Sequence, residues 1–150
     1  MTDAPQTIEP ENLVFVEGPV PDNKSKIIVT IDDDDDILDM ISSVAGRAGF
    51  TVYKINQSEK ALRLLARVVP RLIMLDVQMP GLNGFELCRR IRASAHLERV
   101  PVAFLTAQKT AADVKRGIGA GGDDFLLKPI NPYELVNRVQ HWTARGRRQG

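Results

Sequence analysis

The chain has 150 residues, the length of one ordinary domain, and 43% of them are apolar, enough to build a core. Lysine and arginine number 20 against 19 aspartates and glutamates, and the resulting net charge of +1 argues against both a nucleic-acid binder and an acidic disordered chain. No stretch approaches the roughly 18 apolar residues of a membrane span, and the N-terminus lacks the basic then apolar layout of a signal peptide, so the expected compartment is the cytoplasm.

Residues 1–24 hold Pro5, Pro10, Pro19 and Pro21 among acidic and polar residues, the composition of a disordered acidic tail. Its apolar run Leu13, Val14, Phe15, Val16 is the segment able to dock or form an edge strand. From Lys26 short β-branched runs alternate with longer segments of helical period, which predicts an α/β fold with a parallel sheet covered on both faces. Strands are read at Lys26–Ile31, Thr51–Ile55, Arg71–Leu75, Val100–Leu105 and Asp124–Leu127.

The first helix, Asp35 to Ala48, starts on aspartates that suit a helix N-terminus, and Ile37, Met40, Ile41 and Val44 follow its apolar stripe. The second runs from Ser58 to before Pro70, burying Ala61, Leu62, Leu65 and one of Val68 or Val69. The third, Gly84 to Ser94, presents Phe85, Leu87, Cys88 and Ile91; the lone Cys88 excludes an intramolecular disulfide and reads as a small core residue. The fourth, Ala111 to Gly119, is weak in helix formers and is expected to be the least rigid. The fifth opens with Pro132 and presents Leu135, Val139 and Trp142, and residues 146–150 form a basic tail or linker after a folded unit of residues 25–145. His96 and His141 are too far apart in sequence to read as a metal pair.

In an open α/β sheet, ligands bind beyond the carboxyl ends of the strands. The residues that follow the strands are Asp32 and Asp33, then Asp76, Thr106, and Lys128 with Pro129. A strand order of 2-1-3-4-5 makes the first and third strands neighbours and brings three carboxylates together, whose mutual repulsion a hard divalent cation such as Mg²⁺ relieves. At such a place a carboxylate can attack phosphorus, with Lys128 and the Thr106 hydroxyl on phosphoryl oxygens. Asp76 is the best nucleophile candidate because it stands alone at a strand end followed by a sharp turn, Met79-Pro80-Gly81, and the bent backbone there can aim a main-chain carbonyl such as that of Gln78 at the metal.

These residues match a family. The segments IIVTIDDDDDI, LIMLDVQMPGLNGFELCRRIR, VPVAFLTA and GGDDFLLKPI make the sequence resemble the receiver domain of two-component response regulators, over about Lys26 to Arg145. Asp33, Asp76, Thr106 and Lys128 follow one another at intervals of 43, 30 and 22 residues, a joint spacing far more specific than any single piece. The resemblance implies the flavodoxin-like, doubly wound, five-stranded fold and a non-enzymatic phosphoacceptor domain that catalyses only its own phosphorylation and slow dephosphorylation. It makes Asp76 the phosphoacceptor, and Asp32 and Asp33, with Asp76 and the Gln78 carbonyl, the Mg²⁺ ligands. Thr106 and Lys128 become the phosphoryl contacts, Thr106 and Phe125 the switch pair, Gln78 and Gln108 the tuners of dephosphorylation, and Lys128–Pro129 a cis bond. The implied partners are a histidine kinase or histidine phosphotransfer protein and a downstream protein or effector domain, with a homodimer through the fourth and fifth helices also within the family's range. Two departures stand out: Asp35 occupies a position where many members have Pro, and Phe125 lacks the hydroxyl of the common Tyr.

Other readings fare worse. An EF-hand loop needs Gly where Ile37 stands. A haloacid-dehalogenase-type phosphatase could use Asp32-x-Asp34, but Asp36 occupies the place of its Thr or Val and the Asp76 motif would have no role. A pseudo-receiver that binds without phosphorylation is opposed by the complete set of five residues. Within the acidic run, Asp34, Asp35 and Asp36 are assigned to helix capping, and Asp123 and Asp124 are read as solvent-facing or capping acids. The arginines near the C-terminus occur without a helix-turn-helix pattern, so DNA is not an expected partner.

Overall fold

The structure is a computed structural model and describes residues 7–8 and 26–147. Five parallel strands, β2 (Ile27–Ile31), β3 (Thr51–Ile55), β4 (Leu72–Asp76), β5 (Val102–Thr106) and β6 (Asp124–Leu127), lie in the spatial order β3-β2-β4-β5-β6. That is the predicted order 2-1-3-4-5, and the winding reverses between β2 and β4. A further strand, β1 (Thr7–Ile8), adds in parallel to the outer side of β3, pairing Thr7 with Val52 and Ile8 with Tyr53. The expectation of an unstructured N-terminal segment fails at these two residues, because the edge of β3 offers unpaired backbone groups that a passing segment can satisfy. Leu13 to Val16 lie outside the described residues.

Four helices connect the strands, α1 (Asp35–Arg47), α2 (Ser58–Leu65), α3 (Gly84–Arg92) and α4 (Ala111–Ala120), and a fifth, α5 (Pro132–Arg145), follows β6. A short 3₁₀ turn, Ala95–Leu97, follows α3. Alternation along the buried strands sorts their side chains onto two faces. Val29, Ile31, Tyr53, Ile73, Leu75, Phe104 and Phe125 pack beneath α2, α3 and α4. Ile28, Val52, Leu72, Met74, Leu105 and Leu126 pack beneath α1 and α5.

The predicted helical stripes hold, with shifts of a residue. In α1 the deepest residues are Leu38, Ile41, Ser42 and Ala45, while Ile37, Met40 and Val44 are partly buried against the same core. α2 ends at Leu65, short of Pro70, and of the two candidate valines Val68 is buried and Val69 is exposed. β4 and β5 each run one residue further than read from the sequence, so Asp76 and Thr106 are the last residues of their strands. Among the described residues no helix is long and apolar enough to cross a membrane.

Candidate functional site

The aspartate run divides by backbone direction. Asp32 continues the ladder past β2, donating its N–H to Ile55 O (3.0 Å), and is fully buried. Its Oδ1 accepts the Asp34 N–H (3.0 Å), which turns the chain so that Asp33 points to the exposed rim. Asp34 then caps α1 by accepting the Asp36 N–H (2.9 Å), and Asp35 and Asp36 occupy the first turn, where negative charge opposes the helix dipole.

Asp76 is placed by its strand and by the helix that follows. A Cβ at Gly84 would sit 2.2 Å from the Asp76 carbonyl oxygen, so only glycine lets the start of α3 close against the end of β4. The Gly84 N–H donates to Val77 O (2.9 Å), and Asn83 caps α3 through the Glu86 N–H (3.0 Å). The Gln78 N–H reaches Asp76 Oδ1 at 3.4 Å, which keeps the Gln78 main chain beside the carboxylate.

Lys128 enters from the end of β6. Its N–H donates to Thr106 O (2.8 Å), and its ammonium donates to Asp76 Oδ1 (3.2 Å). The same ammonium lies 2.8 Å from Asp32 Oδ2, a charge contact without hydrogen-bond alignment, which leaves that buried oxygen without a hydrogen-bond partner among the described residues. The Lys128–Pro129 peptide bond is cis.

Three acids against one lysine leave the site short of positive charge. Burial, with the Asp32 carboxylate adding to it, pushes the Asp76 carboxyl from its ordinary 3.8 up to about 7, although Lys128 and the Gln78 N–H pull the other way. Burial works against the Lys128 charge, but the Asp32 and Asp76 carboxylates outweigh it and hold the ammonium above its ordinary value. Asp32, Asp33 and Asp76 each bring a carboxylate oxygen to within 4.8 Å of the others. An oxygen-only donor set, with one buried oxygen that accepts no hydrogen bond among the described residues and one acid on the rim, suits a hard divalent cation reached from solvent.

Thr106 is close to this cluster but engaged elsewhere. Its hydroxyl donates to Gln108 O (2.7 Å) and accepts the Gln108 N–H (3.2 Å), a latch inside the β5–α4 loop. Phe125 is buried one layer down, its ring 5.2 Å from Phe104, which stacks edge-on against Phe85 at 5.1 Å. The residues singled out from the sequence thus share one sheet edge, with Thr106 facing its own loop and Phe125 beneath it. Asp123 and Asp124 are a correction. Neither is solvent-facing: Asp123 binds Arg92 (2.9 Å) and Arg147 (3.0 Å), and Asp124 binds Arg138 (2.5 Å) and the Trp142 indole N–H (2.8 Å). No local pattern marks these partners, which come from other elements.

The response regulator receiver domain family matches residues 28–140. The DNA-binding response regulator MtrA of Mycolicibacterium smegmatis is 37% identical over 119 residues, 79% of this chain and 51% of that protein. The chain therefore spans about half the length of the curated relatives it matches. Among solved structures, the chemotaxis response regulator CheY4 of Vibrio cholerae aligns with a TM-score of 0.75 at 26% identity, covering 78% of this chain and 98% of that one. The receiver domain of sensor histidine kinase PA1611 from Pseudomonas aeruginosa, solved with magnesium coordinated in its active site cleft, aligns with a TM-score of 0.73 at 28% identity, covering 79% of this chain and 98% of that one. With the order of the sheet, the acid cluster and the lysine all in place at the carboxyl ends of the strands, the chain belongs to the response regulator receiver domain family.

Proposed function

We propose that the chain is a phosphorylation-dependent signalling switch that takes a phosphoryl group onto Asp76 from a phosphohistidine of a histidine kinase or phosphotransfer protein, with Mg²⁺ as cofactor. The observation that carries this reading is the Lys128 ammonium set between the Asp32 and Asp76 carboxylates, with Asp33 completing the acid cluster at the sheet edge. Asp32, Asp33 and Asp76, with the Gln78 carbonyl, would hold the cation, which supplies charge neutralisation for the phosphoryl oxygens.

The chain's own groups do the rest. An Asp76 carboxylate oxygen attacks phosphorus, the P–N bond to imidazole breaks, and the ring nitrogen leaves with the electron pair. Lys128, already bonded to Asp76 Oδ1, neutralises the incoming oxygens. A phosphoryl oxygen that draws the Thr106 hydroxyl takes it from Gln108 O and so releases the loop latch. Phe125, packed on Phe104 beneath that loop, is the element through which the change reaches the face made by α4, β6 and α5.

Incubation with phosphoramidate and Mg²⁺ tests the assignment, because it needs no partner protein. Intact-mass measurement should show one added phosphoryl group, stable in acid, labile in base, abolished by chelator and absent from Asp76→Asn. An adduct undiminished in that variant would overturn the role of Asp76.

A further inference from the structure

Without β1, the sheet would end at β3. That strand reads Thr51-Val52-Tyr53-Lys54-Ile55, β-branched or aromatic at every position but one and free of proline, and all of it except Lys54 is buried. The Thr51 N–H donates to Lys26 O (2.7 Å) and the Ile55 carbonyl accepts the Asp32 N–H (3.0 Å), so the odd-numbered residues serve β2. Alternation then turns the N–H and C=O groups of Val52 and Lys54 outward. Lys54 is the strand's only charge, and its ammonium is held by Asp39 on α1 (2.8 Å) rather than standing clear as a lysine that repels a second strand. A short run of strong β-formers with its one charge neutralised pairs readily with another strand.

β1 covers this edge, with Thr7 and Ile8 in parallel register with Val52 and Tyr53. It is itself a poor template for further growth. It is two residues long, Pro5 and Pro10 flank it in the sequence and have no N–H to give, and Glu9 adds a charge. A bare edge is thereby exchanged for a blunted one. We infer that the β3 edge is a self-pairing surface whose partner is β3 of a second copy of this chain, and that β1 occupies it in cis and keeps the chain from associating there. Two bare β3 edges related by a two-fold axis pair antiparallel about Tyr53, with Val52 of one copy opposite Lys54 of the other. Such opposed residues exchange N–H···O bonds in both directions, a ladder stronger per residue than the parallel one that β1 makes. In the intact chain β1 prevails because it is tethered, and its effective concentration exceeds that of protein free in solution.

The test uses the full chain with Thr7→Pro and Ile8→Pro together, which removes the N–H groups of β1 and touches no residue of the five-stranded core. Light scattering after size exclusion should show the unmodified chain as a monomer throughout a concentration series, and the variant rising about twofold in mass as concentration increases. Hydrogen exchange locates the contact: the Val52 and Lys54 amides should lose protection in the dilute variant and regain it in the dimer. A synthetic peptide of residues 4–11 should return the variant to monomer, and the same peptide with proline at both positions should not. Thr7→Gly with Ile8→Gly should act in the same direction more weakly, and it carries the test if the proline variant fails to fold. Variants that stay monomeric at every concentration, or a dimer in which those two amides stay unprotected, would overturn the self-pairing surface. Equal association of the unmodified chain and the variants would overturn the guarding role of β1.

Discussion

Asp76 carries a cost that its function explains. It is 4% exposed, close to another carboxylate, and shares one lysine with it. In the unfolded chain the group loses its proton near 3.8, whereas the fold holds the proton up to about 7. Between those values the folded state binds more protons, so metal-free stability falls as pH rises and then levels off above about 7. Asp76→Asn removes the ionised group and should stabilise the metal-free protein at pH 8 by about 1–3 kcal/mol, with the gain vanishing toward pH 4. Urea denaturation in the presence of chelator reads this directly, and equal stability at pH 8 would mean that Lys128 compensates the whole cost. Cys88 shows the opposite case: burial pushes its thiol up to about 11, leaving an inert core side chain as read from the sequence.

At the scale of elements, α4 shows how packing overrides propensity. Its two glycines look alike in the sequence and both weaken a helix by about 1 kcal/mol relative to alanine. A Cβ at Gly117 would lie 2.3 Å from the Phe125 ring and 3.0 Å from Phe104, whereas a Cβ at Gly119 meets nothing within 4 Å. Gly119→Ala should therefore stabilise by about 0.5–1 kcal/mol. Gly117→Ala should destabilise by about 1–3 kcal/mol, since overpacking against two clamped rings outweighs the gain in propensity. Thermal or urea melts of the two variants should shift in opposite directions, and a shift of the same sign would show that Phe125 yields easily. The result bears on function, because the glycine in question forms the roof over the proposed switch ring.

Across the whole molecule, the edge opposite the site is held by Asp123. Its carboxylate accepts from Arg92, Arg147 and the Val102 N–H (3.0 Å), while Arg92 also donates to the carbonyls of Leu97, Val100 and Gly121. α3, β5, the turn after α4 and the segment after α5 are thus joined through one partly buried acid. Asp123→Ala should cost about 2–4 kcal/mol, because it strands Arg92 among carbonyls with its charge uncompensated. Asp39→Ala, which breaks an ion pair whose acid is largely exposed, should cost well under about 1 kcal/mol. Equal losses in a denaturant titration would refute the distinction. Arg147 belongs to this network, so the basic end seen in the sequence is partly a structural tie.

Periodicity and strand-end position were legible in the amino-acid order alone. The alternation of runs set the five-stranded sheet and its helices, and the residues at the ends of those runs named Asp32, Asp33, Asp76, Thr106 and Lys128. The limits of that legibility are physical. Strands reach a residue beyond their apolar runs because a ladder continues as long as a neighbouring carbonyl accepts its N–H groups, as Leu105 O does for the Val77 N–H. Which glycine is a contact, which acids are paired, that Thr106 is latched to Gln108 and that Arg116 lies over Phe85 follow only from the three-dimensional packing. Each of these depends on a partner distant in sequence or on the local course of a loop, and composition and period carry no information about either.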